Sequence, residues 1–124
     1  MERKTRLNEL CEEIHKVQVD KGFYEEKREI GTLLMLIVSE LSEALEADRK
    51  NRYAKDKIGH INISDANFVS EFEENIKDTF EDEIADAVIR IFDLCGYLNI
   101  DLDRHVLMKL KYNESRPKKH GKKY

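Results

Sequence analysis

The sequence predicts an all-α protein, a four- to five-helix bundle. Glycine and proline together number only six in 124 residues, and these are the residues that interrupt helices. Charged residues reach 39%, a share that long solvent-facing helix surfaces accommodate. Apolar residues recur at three- and four-residue spacing through each segment long enough to judge. The length suits a single domain over residues 1–124.

The first helix is expected over residues 6–20, with Leu7, Leu10, Cys11, Ile14 and Val17 or Gln18 in register. It closes at Lys21-Gly22, because glycine accepts the left-handed conformation that ends helices. Phe23 and Tyr24 follow in a connector, as packing anchors or as a surface on which a base can stack. A second helix over residues 28–50 carries the strongest apolar pattern. Residues 51–66 are polar and without a period, and read as a loop. Ser64 or Asp65 is expected to cap the next helical stretch, residues 67–98, in two pieces meeting near Asp78-Thr79. Asp101 is a good N-cap for a last helix that ends before Pro117.

Composition narrows the function classes. The net charge of −4 argues against a general nucleic-acid binder. The exception is the basic tail at 116–124, with Arg116, Lys118, Lys119, Lys122 and Lys123. Cys11 and Cys95 are too few for a disulfide framework and lack partners at metal-ligand spacing; Cys95 reads as a small core residue. His15, His60, His105 and His120 form no zinc pattern. No segment is long and apolar enough to span a membrane or direct export, so a cytoplasmic protein is expected. Apolar content of 40% is thin for a lone globule of this size, which points to a core completed by a second copy.

Helix phase singles out acids in unusual places. At about 100° per residue, Leu33, Leu36, Ile37, Leu41, Ala44 and Leu45 share one face of the second helix, with Ser39, Ser42 and Glu46 toward solvent. Glu40 projects into the middle of that apolar arc and Glu43 lies on its flank. A carboxylate there must be paired, protonated or bound to a cation. On the later helix Phe80, Ile84, Ala87, Ile91, Leu94 and Leu98 define the apolar face. Glu83 falls at its edge and Asp86 about 60° further round. Both acid pairs are spaced i, i+3 and so occupy one side of their helix. Packed together, the two helices would gather four carboxylates, whose oxygens select Mg²⁺ or Mn²⁺ over zinc. With 26 acidic residues, such pairs also arise by chance, as Glu26/Glu29 shows.

In the last helix Leu102, Val106 and Leu110 mark the expected buried side. Lys109 and Asn113 fall in the same arc, and Arg116 would extend it. These cations fit an anionic ligand such as a triphosphate, or salt bridges to the same acids.

SELSEALEA (39–47) followed by EDEIADAVIRIFDL (81–94) resembles the ExxE…ExxD signature of the all-α nucleoside triphosphate pyrophosphohydrolases, specifically MazG-like proteins. KLKYNESRPKKHGKKY (109–124) resembles the C-terminal segment of one branch of that group, and KGFYEEKREIG (21–31) its lead-in to the metal-binding helix. The resemblance implies Glu40, Glu43, Glu83 and Asp86 as Mg²⁺ ligands, with Glu43 orienting or deprotonating the attacking water. It implies Lys109, Asn113 and Arg116 on the phosphates or sugar, and a homodimer or homotetramer. The implied reaction hydrolyses an NTP or dNTP to the monophosphate and pyrophosphate. Two departures stand out: Ser39 occupies a position that is acidic in many relatives, and an insertion at about 51–78 lengthens the spacer and covers the site or shapes a base pocket. Two readings of other classes compete: a non-catalytic helical nucleotide- or protein-binding module, and a nucleic-acid binder using the basic tail.

Overall fold

The computed structural model describes residues 5–54, 58, 59 and 61–123; residues 55–57 and 60 of the expected insertion, Tyr124 of the basic tail and the side chain of His120 lie outside them. The described residues hold five α-helices and no strand: α1 (Leu7–Asp20), α2 (Ile30–Arg49), α3 (Phe68–Asn75), α4 (Phe80–Tyr97) and α5 (Leu102–Glu114). A short 3-10 turn follows at Lys118–Gly121. The all-α expectation holds, and the helical stretch predicted over 67–98 divides in two as its pattern indicated.

The chain forms two compact units, Met1–Glu25 with Phe92–Tyr124, and Glu26–Ile91. In the first, α1 lacks a side-chain cap of its own. Asp103 supplies one from α5, its carboxylate accepting from Leu7 N at 2.9 Å and Asn8 N at 3.3 Å. Asp101 caps α5 as expected, accepting from Arg104 N at 3.1 Å. Gly96 sets the approach of α4 to α1: a Cβ there would lie 2.6 Å from His15 Cβ and 2.7 Å from Cys11 O. Cys11 and Cys95 are both buried. Gly22 takes the left-handed conformation, φ +88°, that the sequence reading required. Tyr24 is a packing anchor, its ring 4.8 Å from that of Tyr97 and its hydroxyl donating to Asp93 at 2.6 Å. The other oxygen of Asp93 lies 2.8 Å from His15 Nδ1.

In the second unit, Leu33, Ile37, Ala44, Ala47, Ala54, Ile76 and Ala87 make the apolar core. Thr79 begins α4. Its buried hydroxyl donates to Ile76 O and accepts from Asp82 N, which explains the break before Phe80. Arg52 O accepts from Phe80 N, and the Glu81 carboxylate accepts from Ala54 N at 2.9 Å, so the segment after α2 is tied to the start of α4. Ser64 and Asp65 do not cap α3. Its N-cap is Asn67, without a side-chain bond.

The buried side of α2 is narrower than its hydrophobic pattern implies. Leu41 and Leu45 were expected inside but are about half exposed, with Ile30, Leu34 and Val38. These five are spaced 4, 4, 3 and 4 residues apart, a stripe adjacent to the packed one. The packed stripe itself includes small Ala44 and Ala47. The last helix departs more strongly, since no residue of α5 is buried, and Leu110 and Lys109 are exposed. No helix among the described residues is long and apolar enough to cross a membrane.

Candidate metal centre

The acidic site lies within the second unit. Glu40 of α2 and Glu83 of α4 are both buried, at 8% and 5% exposure, whereas Glu43 is exposed. Each of the three offers a carboxylate oxygen, and these oxygens lie within 4.8 Å of one another. The i, i+3 spacing puts Glu43 one turn after Glu40 on the same side of α2.

Glu40 has a partner. Arg90 Nε donates to its Oε1 at 2.8 Å. Burial alone would raise its pKa, but the Arg90 guanidinium, through its hydrogen bond and its charge, leads the interactions that outweigh that, and the carboxyl sits below its ordinary value. Arg90 was not singled out from the sequence. Its signal was available: at positions 83, 86 and 90 the residues share one face of α4, so a cation was already spaced to meet the acids.

Glu83 is the opposite case. Its Oε2 is buried and has no hydrogen-bond partner among the described residues. Desolvation, then the adjacent Glu43 and Glu40, push its carboxyl up to about 8. Helix phase placed Glu83 at the margin of α4, yet it is more buried than Glu40. An oxygen excluded from water and facing other carboxylates is stabilised by a proton or a cation. Oxygen-only donors of this kind suit a small hard cation that keeps part of its water shell, as Mg²⁺ does. The donor set fits a divalent cation at Glu40, Glu43 and Glu83.

Asp86 is not in that set. It is half-buried on α4, raised to about 6 by desolvation first and then by Asp82 and Glu40. Glu83 also belongs to a second cluster, its oxygen lying within 4.8 Å of oxygens from Asp78 and Asp82. Asp78, with φ +65°, donates its amide to Asp82 Oδ2 at 3.0 Å. Asp82 and Asp86 in turn line a cavity of about 420 Å³ with Phe68, Val69, Phe72, Glu73, Lys77 and Asp78. The aromatic lining was not read from the sequence, although Phe68 and Phe72 at i, i+4 were a visible aromatic pair within the segment expected to cover the site or shape a base pocket.

Lys109, Asn113 and Arg116 belong to the other unit. Lys109 is exposed with its ammonium 5.1 Å from the Tyr112 ring centroid, and the Arg116 guanidinium is 5.4 Å from the same centroid. Asn113 is half-buried, its carbonyl accepting from Arg116 N at 3.2 Å. Glu40 and Glu43 of the acidic set come from α2 and Glu83 from α4.

No protein-family model, curated protein or solved structure matches the chain.

Proposed function

We propose that the chain is a Mg²⁺-dependent nucleoside triphosphate pyrophosphohydrolase, with Mn²⁺ as a substitute cation. One observation carries the reading: three of the four ExxE…ExxD acids, Glu40, Glu43 and Glu83, converge, and the buried Oε2 of Glu83 has no hydrogen-bond partner among the described residues, where a cation would satisfy it. The likeness to MazG-like sequences supplies the substrate class.

In this scheme a water oxygen attacks a phosphorus of the triphosphate, the bond to the bridging oxygen breaks, and monophosphate and pyrophosphate separate. Bound Mg²⁺ supplies charge neutralisation on the phosphate oxygens and acidifies water. The protein's own groups divide the remaining work. Arg90 fixes the Glu40 carboxylate in its ionised form. Glu43, the exposed member of the cluster, accepts the proton of the attacking water. With a cation bound, Glu83 would be ionised and hold it together with Glu40 and Glu43; the resemblance adds Asp86 to the ligands. The resemblance assigns Lys109, Asn113 and Arg116 to the phosphates and sugar, where cations offset the charge of the leaving pyrophosphate.

The same reading carries assembly into a homodimer or homotetramer. The exposed Ile30, Leu34, Val38, Leu41 and Leu45 stripe on α2 supports it, because a heptad-like spacing suits a second helix.

The test is incubation with a panel of NTPs and dNTPs plus Mg²⁺, following monophosphate and pyrophosphate. Turnover abolished in Glu40→Ala and Glu83→Ala is the expected result. No turnover of any nucleotide, or turnover unchanged in Glu40→Ala, overturns the enzymatic reading. Mg²⁺-dependent nucleotide affinity without turnover would assign a binding module instead.

A further inference from the structure

We propose that the cavity between α3 and the start of α4 is the nucleobase subsite of the substrate, and that it selects bases carrying an exocyclic amino group over uracil and thymine. This rests on the pyrophosphohydrolase reading for its substrate, while the cavity stands on its own geometry.

The space, about 420 Å³, falls within the range of roughly 300–1,000 Å³ usual for small-ligand pockets. Its apolar side is Phe68, Val69 and Phe72 from α3. The Phe68 and Phe72 rings are 5.9 Å apart and tilted by 43°, both half-buried, so each packs inward and still presents ring surface. Such rings hold a flat heteroaromatic by stacking, which is indifferent to which base it is.

The polar side decides what enters. Asp78, Asp82 and Asp86 line it with Glu73, and Lys77 is the one cation among the described lining residues. So many carboxylates repel a phosphate, and the triphosphate itself does not belong there. They are hydrogen-bond acceptors, and they match an occupant whose edge presents N–H donors. Cytosine, adenine and guanine carry an amino group on that edge; thymine presents a carbonyl in its place. Lys77 can answer a ring carbonyl next to the amino group.

Position ties the cavity to the chemistry. Asp86 lines it and is the last acid of ExxE…ExxD, and Asp82 precedes Glu83 on α4. A nucleoside triphosphate held at the acids therefore has its base within reach of α3. The extra segment between the two acid pairs gains a purpose: it carries the aromatic wall.

The chain has no tryptophan, so Phe72→Trp installs one fluorophore in the wall without removing it. Saturable quenching by dCMP, dAMP and dGMP, weaker quenching by dTMP and none by ribose 5-phosphate is expected, whether or not the protein turns over. In steady-state assays Phe72→Ala should raise KM for the preferred dNTP by about fivefold to 150-fold, the factor expected for a lost base–aromatic stack of ~1–3 kcal/mol. Its kcat should change little, and Phe72→Tyr should restore KM. Quenching without turnover in the parent chain would leave the subsite standing and sink the enzymatic reading. Absent quenching by every nucleotide, equal quenching by ribose 5-phosphate, or strongest binding of dTMP overturns the subsite even if the enzyme is active. Should Phe72→Ala fail to fold, the Phe72→Trp titration still decides.

Discussion

Glu83→Gln should stabilise the metal-free protein and remove its response to Mg²⁺. The carboxyl of Glu83 is pushed from an ordinary 4.5 to about 8 by burial and then by Glu43 and Glu40. Below about 4.5 both folded and unfolded chains carry the proton, and nothing is lost. As pH rises toward 8 the unfolded chain ionises while the folded chain holds its proton, so stability falls across that window. By pH 7 the loss is about 3 kcal/mol, from ~1.4 kcal/mol per unit of pKa displacement. For a chain of this length it corresponds to a melting shift on the order of 10 °C. A glutamine keeps the shape and a donor toward its acidic neighbours but cannot ionise, so it escapes the loss. Thermal melts in EDTA from pH 5 to 8 read this directly. The parent should melt progressively lower as pH rises; the variant should be nearly level above pH 6, the residual slope below coming from Asp86, raised to about 6. With Mg²⁺ at ~100 times its dissociation constant the parent should recover about 3 kcal/mol near pH 7.5, and the variant much less. A variant less stable than the parent in EDTA at pH 7, or equally stabilised by Mg²⁺, would refute the reasoning.

Arg90→Met leaves Glu40 buried without its cation and should cost about 1–3 kcal/mol in urea melts; adding Glu40→Gln should recover much of it, and an additive double variant would contradict the pairing. Gly96→Ala places a methyl 2.6 Å from His15 Cβ and should destabilise by about 1–3 kcal/mol despite better helix propensity, with Mg²⁺ affinity unaltered; a stabilised variant would show that the helices separate easily. If the α2 stripe mediates the proposed self-association, Leu41→Glu with Leu45→Lys should give monomers in size-exclusion light scattering where the parent is larger, whereas a parent already monomeric at tens of micromolar removes the basis for that proposal.

Local signals were legible wherever the chain decides its own conformation. Gly22 ended α1, Asp101 capped α5, and the polar Asp78-Thr79 step divided the long helical stretch, because capping and left-handed turns involve only a few neighbouring residues. Periodicity also identified Glu40 and Glu43 as companions on one side of α2. Depth was another matter, since it depends on what packs against a helix and how closely. Periodicity put Glu40 at the centre and Glu83 at the margin; both are buried, but Arg90 answers Glu40 while Glu83 Oε2 has no partner among the described residues. The leucines of α2 that looked inward are half exposed beside the packed stripe, and Lys109 is exposed on a helix with no buried residue. The aromatic cavity by α3 belongs to the same class, made by Phe68 and Phe72 meeting acids of another helix. What the sequence by itself determined was the helices, their ends and the acids available to them; only the tertiary structure decided which acid is neutralised by a neighbour and which is left to a proton or a cation.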